Sequence, residues 1–96
     1  MGKIEITTTS GFKCKMDEDT TNDMEFFEMC KAADRAENEA EKTYIVSDML
    51  DYLLGDDIKK ALYAHIKKAE KTSRVHVDSV MTEFVDIMNQ LKDAKK

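Results

Sequence analysis

Apolar and polar residues alternate over residues 4–16, with Ile4 and Ile6 before a Ser10-Gly11 turn and Phe12, Cys14 and Met16 after it. Successive strand side chains point to opposite faces, so this period of two predicts a β-hairpin with one apolar face. A polar run follows, Asp17 to Asp23, rich in residues that cap helices. Beyond it the spacing changes to that of a helix, with an apolar stripe at Phe26, Met29, Cys30 and Ala33 and a start near Asp23. Residues 37–43 carry no large apolar group and either extend this helix or link it to the next. Tyr44 to Leu54 is strongly apolar and stops at Gly55, which predicts a short second helix with a glycine cap. Asp56 and Asp57 suit the start of a third helix, whose buried face is Ile58, Leu62, His65 or Ile66, and Ala69. After a link near Lys71 to His76, the positions Val77, Val80, Met81, Phe84, Ile87, Met88 and Leu91 keep helical spacing over four turns. The expected architecture is mainly α: a β-hairpin over residues 1–17 followed by about four helices over residues 22–92, in a single domain of residues 1–96.

The length fits this picture, since 96 residues make one domain with a modest core. A charged fraction of 36% and the absence of proline go with helices whose outer faces are solvated. No apolar run has the roughly 18 to 20 residues that span a bilayer, and Met1 to Thr9 lacks the basic start and apolar centre of a signal peptide, so no membrane partner is expected. Cys14 and Cys30 sit in no CxxC and read as reduced thiols on apolar faces.

Candidate chemistry is sparse. Asp17, Asp19, Thr21, Asp23, Glu25 and Glu28 occupy the ligand positions of a calcium loop, but Asn22 stands where the sharp turn needs glycine, and an alternating strand precedes the run where a helix is needed. Zinc has only Cys14, Cys30, His65 and His76 to draw on, at spacings that match no zinc motif. The same four are the only candidates for a Cys and His nucleophilic pair, with no glycine-rich phosphate loop beside them. No metal, no cofactor and no catalytic residue is expected, and the protein reads as one that works by binding other chains.

Charge says more. Residues 17–41 hold ten acids against two bases, whereas residues 59–74 hold six bases against one acid. A molecule with one acidic and one basic end can stack head to tail, and such contacts close into rings or continue as spirals. The candidate self-association residues are therefore Asp17, Glu18, Asp19, Asp23, Glu25 and Glu28 on one side and Lys59, Lys60, Lys67, Lys68, Lys71 and Arg74 on the other. The net charge of −5 disfavours nucleic acid as a partner. Seven methionines are many for this length, and most are expected in the core. Met24, Met29 and Val85 are the candidates for contact with an apolar client, because flexible side chains adapt to varied surfaces.

The order of these segments resembles the tail assembly chaperones of long-tailed bacteriophages, especially those of Gram-positive hosts. The residues that carry the resemblance are Ile4-Glu5-Ile6, the stretch Ser10 to Asp19, the helix Asp23-Met24-Glu25-Phe26-Phe27-Glu28-Met29, the segment Met49 to Asp57, a basic third helix, and the Val77 to Leu91 helix with Phe84 in mid-face. The resemblance implies a non-enzymatic protein that self-associates and coats the tape measure protein in the cytoplasm of the bacterial host. Tail tube protein then replaces it, so that it is not in the mature virion. It also implies that a longer frameshifted form is made in some members, for which the paired Lys95 and Lys96 codons are the candidate site. The alternative reading of the Asp17 to Glu41 strip is a small acidic regulator or inhibitor that mimics a nucleic-acid surface and binds a basic protein.

Overall fold

Strands β1 (Lys3–Thr7) and β2 (Lys13–Asp17) pair antiparallel with Ile6 opposite Cys14 and Ile4 opposite Met16. That register places the apolar positions on one face and sets Glu5 across from Lys15 and Lys3 across from Asp17 on the outer face, where opposite charges favour the pairing. The connection is a turn over residues 8–11, closed by the Gly11 N–H donating to the Thr8 carbonyl at 2.9 Å. Gly11 has φ +95°, a region that side-chain-bearing residues rarely adopt.

This computed structural model describes residues 2–94; Met1 and the Lys95-Lys96 pair invoked for frameshifting lie outside the described residues. A short 3-10 turn (Thr20–Asn22) leads into α1 (Met24–Asp34), followed by α2 (Glu39–Glu70) and α3 (Val77–Ala94). The fold is mainly helical with an N-terminal hairpin, but it has three helices where about four were expected. The reason lies at Gly55. Its φ of 79° and ψ of 167° interrupt the helical geometry, so it does break the run as expected, but the chain resumes at once and both expected helices belong to one kinked element. The stretch 37–43 is for the most part neither an extension of the first helix nor a link: residues 35–38 are the link, and 39–43 already belong to α2, which starts five residues before Tyr44 because Asn38 Oδ1 accepts from the Glu41 N–H at 2.8 Å.

Helix α1 begins where the capping signal put it, since Asp23 Oδ1 accepts from the Glu25 N–H at 2.9 Å. Helix α2 ends with Lys71 in the left-handed region and the Thr72 N–H donating to the Lys67 carbonyl at 3.0 Å, a closure that occupies the last free carbonyls. The core joins the inner face of the hairpin to α2 and α3: Ile6, Met16, Leu50, Leu62, Ile87 and Leu91 are all almost fully buried there. Helix α1 lies against α2, with Phe26 as its one buried side chain. Four polar contacts fasten the hairpin turn to the helices. The Thr9 N–H donates to Asp86 Oδ2 at 2.6 Å, Gln90 Nε2 to the Thr7 carbonyl at 2.7 Å, and the Ser10 hydroxyl contacts both His65 and Glu83. No helix among the described residues is long and apolar enough to cross a membrane.

Candidate interaction surfaces

The acidic strip runs from the end of β2, through the 3-10 turn, onto α1. Asp17, Asp19 and Asp23 line one cavity of about 240 Å³ together with Thr20, Tyr52 and Leu53. Several of these acids already have work inside the molecule. Asp17 Oδ1 accepts from the Asp19 N–H at 2.8 Å, and Glu18 Oε1 accepts from the Gly2 N–H at 3.1 Å. Asp23 caps α1 with one oxygen and accepts the Tyr52 hydroxyl with the other, at 2.5 Å. The hydrogen bond from Tyr52 is the chief cause that lowers the Asp23 pKa, and the same bond pushes Tyr52 up to about 12. Glu25 and Glu28 are exposed on α1 and form no ion pair among the described residues.

The basic strip divides in the same way. Lys59 is internal to the fold: its ammonium bonds Asp51 Oδ1 at 2.8 Å, which is the main cause raising its pKa, and lies 5.8 Å from the centre of the Tyr63 ring. Lys60 pairs with Asp56 one turn earlier at 3.0 Å. Lys67, Lys68, Lys71 and Arg74 are exposed around the C-terminal end of α2 and have no ion pair among the described residues. Their position favours the negative end of the helix dipole and leaves their charge available outward. Lys60, Lys67 and Lys68 line a shallow groove of about 570 Å³ with Tyr63, Ala64 and Thr72. Tyr63 also lines a second, apolar groove of about 290 Å³ with Tyr44, Val46, Val75, Val77, Val80 and Met81. A basic wall and an apolar wall therefore meet at one tyrosine.

Of the three expected client contacts, Met24 is 71% exposed, Val85 is 52% exposed and Met29 is half-buried. None of them lines a common groove. An apolar groove of about 230 Å³ does run between α1 and α3, lined by Thr21, Phe26, Phe27, Cys30, Met88, Asn89 and Lys92. Phe27 is 63% exposed there, and sequence reasoning missed it; the available signal was its place beside the buried stripe, where a large ring has no core to enter. Burial and the negative charge of Asp34 raise the Cys30 thiol pKa, and burial raises that of Cys14, which keeps both in the unreactive protonated form.

Where the hairpin tip meets α2 and α3, Ser10 Oγ lies 3.0 Å from His65 Nε2 and donates to Glu83 Oε2 at 2.8 Å. The carboxylate thus bonds the serine and not the imidazole, which is the wrong order for a relay in which an acid orients the histidine that activates the serine. The His65 ring instead packs against Phe12, with centroids 5.5 Å apart. Among the described residues no group of three or more His, Cys, Asp or Glu side chains is placed to hold a metal ion. No protein-family model, curated protein or solved structure matches the chain.

Proposed function

We propose that the protein is a non-enzymatic tail assembly chaperone, which associates with itself head to tail and sheathes the phage tape measure protein in the bacterial cytoplasm until tail tube subunits displace it. The observation that carries this reading is the basic row Lys67, Lys68, Lys71 and Arg74, without ion pairs among the described residues, beside a groove that shares Tyr63 with an adjoining apolar groove. The matching surface is the acidic side of α1, with Glu25 and Glu28 exposed and without an ion pair among the described residues. The two surfaces share no lining residue, so a contact between them joins different patches of two copies and leaves a free patch at each end. Exposed ion pairs contribute at most about 1 kcal/mol each. Charge therefore selects the partner and the register, and burial of Tyr63, Tyr44 and Val77 supplies the affinity. The separate groove between α1 and α3, where Phe27 is exposed, is the face assigned to an apolar client; Met24, Met29 and Val85 lie outside its lining.

Charge reversal tests the contact. Lys67→Glu with Lys68→Glu is expected to give a monomer of unchanged helicity, because neither lysine has an internal partner to lose. Mixing this variant with a Glu25→Lys, Glu28→Lys variant is expected to restore association through the swapped pair. Assembly of the lysine variant at wild-type concentration and salt overturns the proposed contact.

A further inference from the structure

Among the described residues Met24 is the large apolar side chain that the fold leaves most exposed, at 71%, and it lines neither the basic groove, the apolar groove nor the groove between α1 and α3. It stands in the first turn of α1, next to Glu25 and one turn before Glu28. At 3.6 residues per turn these three side chains fall within an arc of about 100°, on the side away from the buried Phe26. Both glutamates are exposed and form no ion pair among the described residues. The start of α1 therefore presents one flexible apolar knob flanked by two negative charges.

The other exposed large apolar side chains differ. Tyr44 and Val77 line the apolar groove themselves, and Phe27 lines the groove between α1 and α3 with Lys92 beside it. Tyr52 gives its hydroxyl to Asp23, and the acid next to Val85, Asp86, is held by the Thr9 N–H and Gln90. The basic and apolar grooves meet at Tyr63, and no residue of α1 lines either one, so the chain does not cover them with its own acidic helix. An apolar side chain with negative charge close beside it is what this pair of grooves complements. Tyr44 and Tyr63 wall the apolar part, and a thioether packs favourably against aromatic rings. Lys67 and Lys68, without ion pairs among the described residues, line the basic part.

We propose that Met24 of one copy seats in the apolar groove of the next copy, between Tyr44 and Tyr63, while Glu25 and Glu28 of the same helix face Lys67 and Lys68. This inference rests on the head-to-tail reading above and adds the side chain that anchors it. Met24 then serves contact between copies and not contact with the client. Exposed charge pairs are individually weak and fix the register, whereas a side chain that becomes buried in a groove carries the affinity. Each copy has one knob and one groove, so the contact repeats from copy to copy.

The test is sedimentation equilibrium of the full chain at fixed salt. Met24→Ser is expected to weaken association about tenfold or more, as the loss of one buried methionine side chain requires. Tyr44→Ala is expected to weaken it as well, and both positions are exposed, so the fold has little to lose in either. At concentrations where each variant alone is monomeric, an equimolar mixture is expected to form one-to-one dimers and stop there, because only the intact groove of one variant and the intact knob of the other can join. Val85→Ser, on α3 and outside both grooves, is expected to leave association unchanged. Wild-type association by Met24→Ser, an equal loss in Val85→Ser, or a mixture that stays monomeric overturns the inference. If Lys67→Glu with Lys68→Glu abolishes assembly in the same assay, the head-to-tail reading stands without this anchor; if that variant also assembles, both fall.

Discussion

Tyr52 and Asp23 form the tightest polar contact between α1 and α2, and it marks both residues with opposite pKa shifts. The Tyr52 pKa is raised in the folded protein, so the stability linked to it is complete below the unfolded value of about 10 and is lost as pH rises toward about 12. The Asp23 pKa is lowered, so its contribution is present above 3.8 and is lost as pH falls through the folded value. An absorbance titration of phenolate is expected to show one tyrosine ionising near 12 that disappears in Tyr52→Phe. A variant curve that matches the wild type at high pH contradicts the contact. Glu70 and Asp86 shift downward too, chiefly through the Ser79 hydroxyl and the Thr9 N–H respectively, so their contributions hold above the ordinary values of 4.5 and 3.8, and strong acid below these is expected to weaken the link before α3 and the docking of the hairpin turn. The role of Asp23 as a cap was legible from its place before an apolar stripe. Its bond to Tyr52, 29 residues away, was not, because no local spacing encodes which exposed phenol lies near a cap.

Gly55 separates two rules that usually agree. Helix propensity favours alanine over glycine by about 1 kcal/mol in a helix interior. The backbone here has φ 79° and ψ 167°, a region almost confined to glycine, where another residue costs on the order of 1–3 kcal/mol. Beyond the adjacent residues and the helix's own nearby backbone, no atom lies within 4 Å of a Cβ built at this position, so tertiary crowding plays no part and the sign is decided by backbone conformation. Gly55→Ala is expected to destabilise the protein by about 1–3 kcal/mol in urea unfolding, and a gain in stability contradicts the kinked geometry. Elements whose signals are local were largely legible: the two faces of the hairpin, the Asp23 start, and the α3 stripe from Val80 to Leu91, though Val77, counted in that stripe, is 51% exposed in the first turn, where the helix has not yet reached the core. The helix count was misread because a glycine after an apolar run marks a break equally well whether the chain turns away or continues with a bend. The link at 35–38 was ambiguous for a related reason, since a stretch with no large apolar group has no periodicity to read.

At the scale of the whole molecule, one small core holds the hairpin to α2 and α3. Single domains of about this size are stable by roughly 5–15 kcal/mol, and Leu62→Ala, at a residue with no exposure, is expected to cost about 2–5 kcal/mol in denaturant unfolding. A loss below about 1 kcal/mol would mean that the hairpin and helices do not share this core. The division of charge along the chain survives folding only in part. Asp51 and Asp56 occupy Lys59 and Lys60, and capping occupies Asp23, so the external surfaces narrow to Glu25 and Glu28 on one side and Lys67, Lys68, Lys71 and Arg74 on the other. Composition along the sequence cannot separate a lysine that serves its own helix from one that faces outward. If the proposed function holds, Phe27→Asp leaves assembly intact but lowers the solubility of a co-expressed tape measure protein, because it alters the α1–α3 groove alone. Self-association remains the central claim, and light scattering of the pure protein across a series of concentrations at low and high salt tests it most directly. The account predicts particles well above 11.0 kDa that grow with concentration and dissociate as salt screens the charges, whereas a constant 11.0 kDa species under all conditions would contradict it.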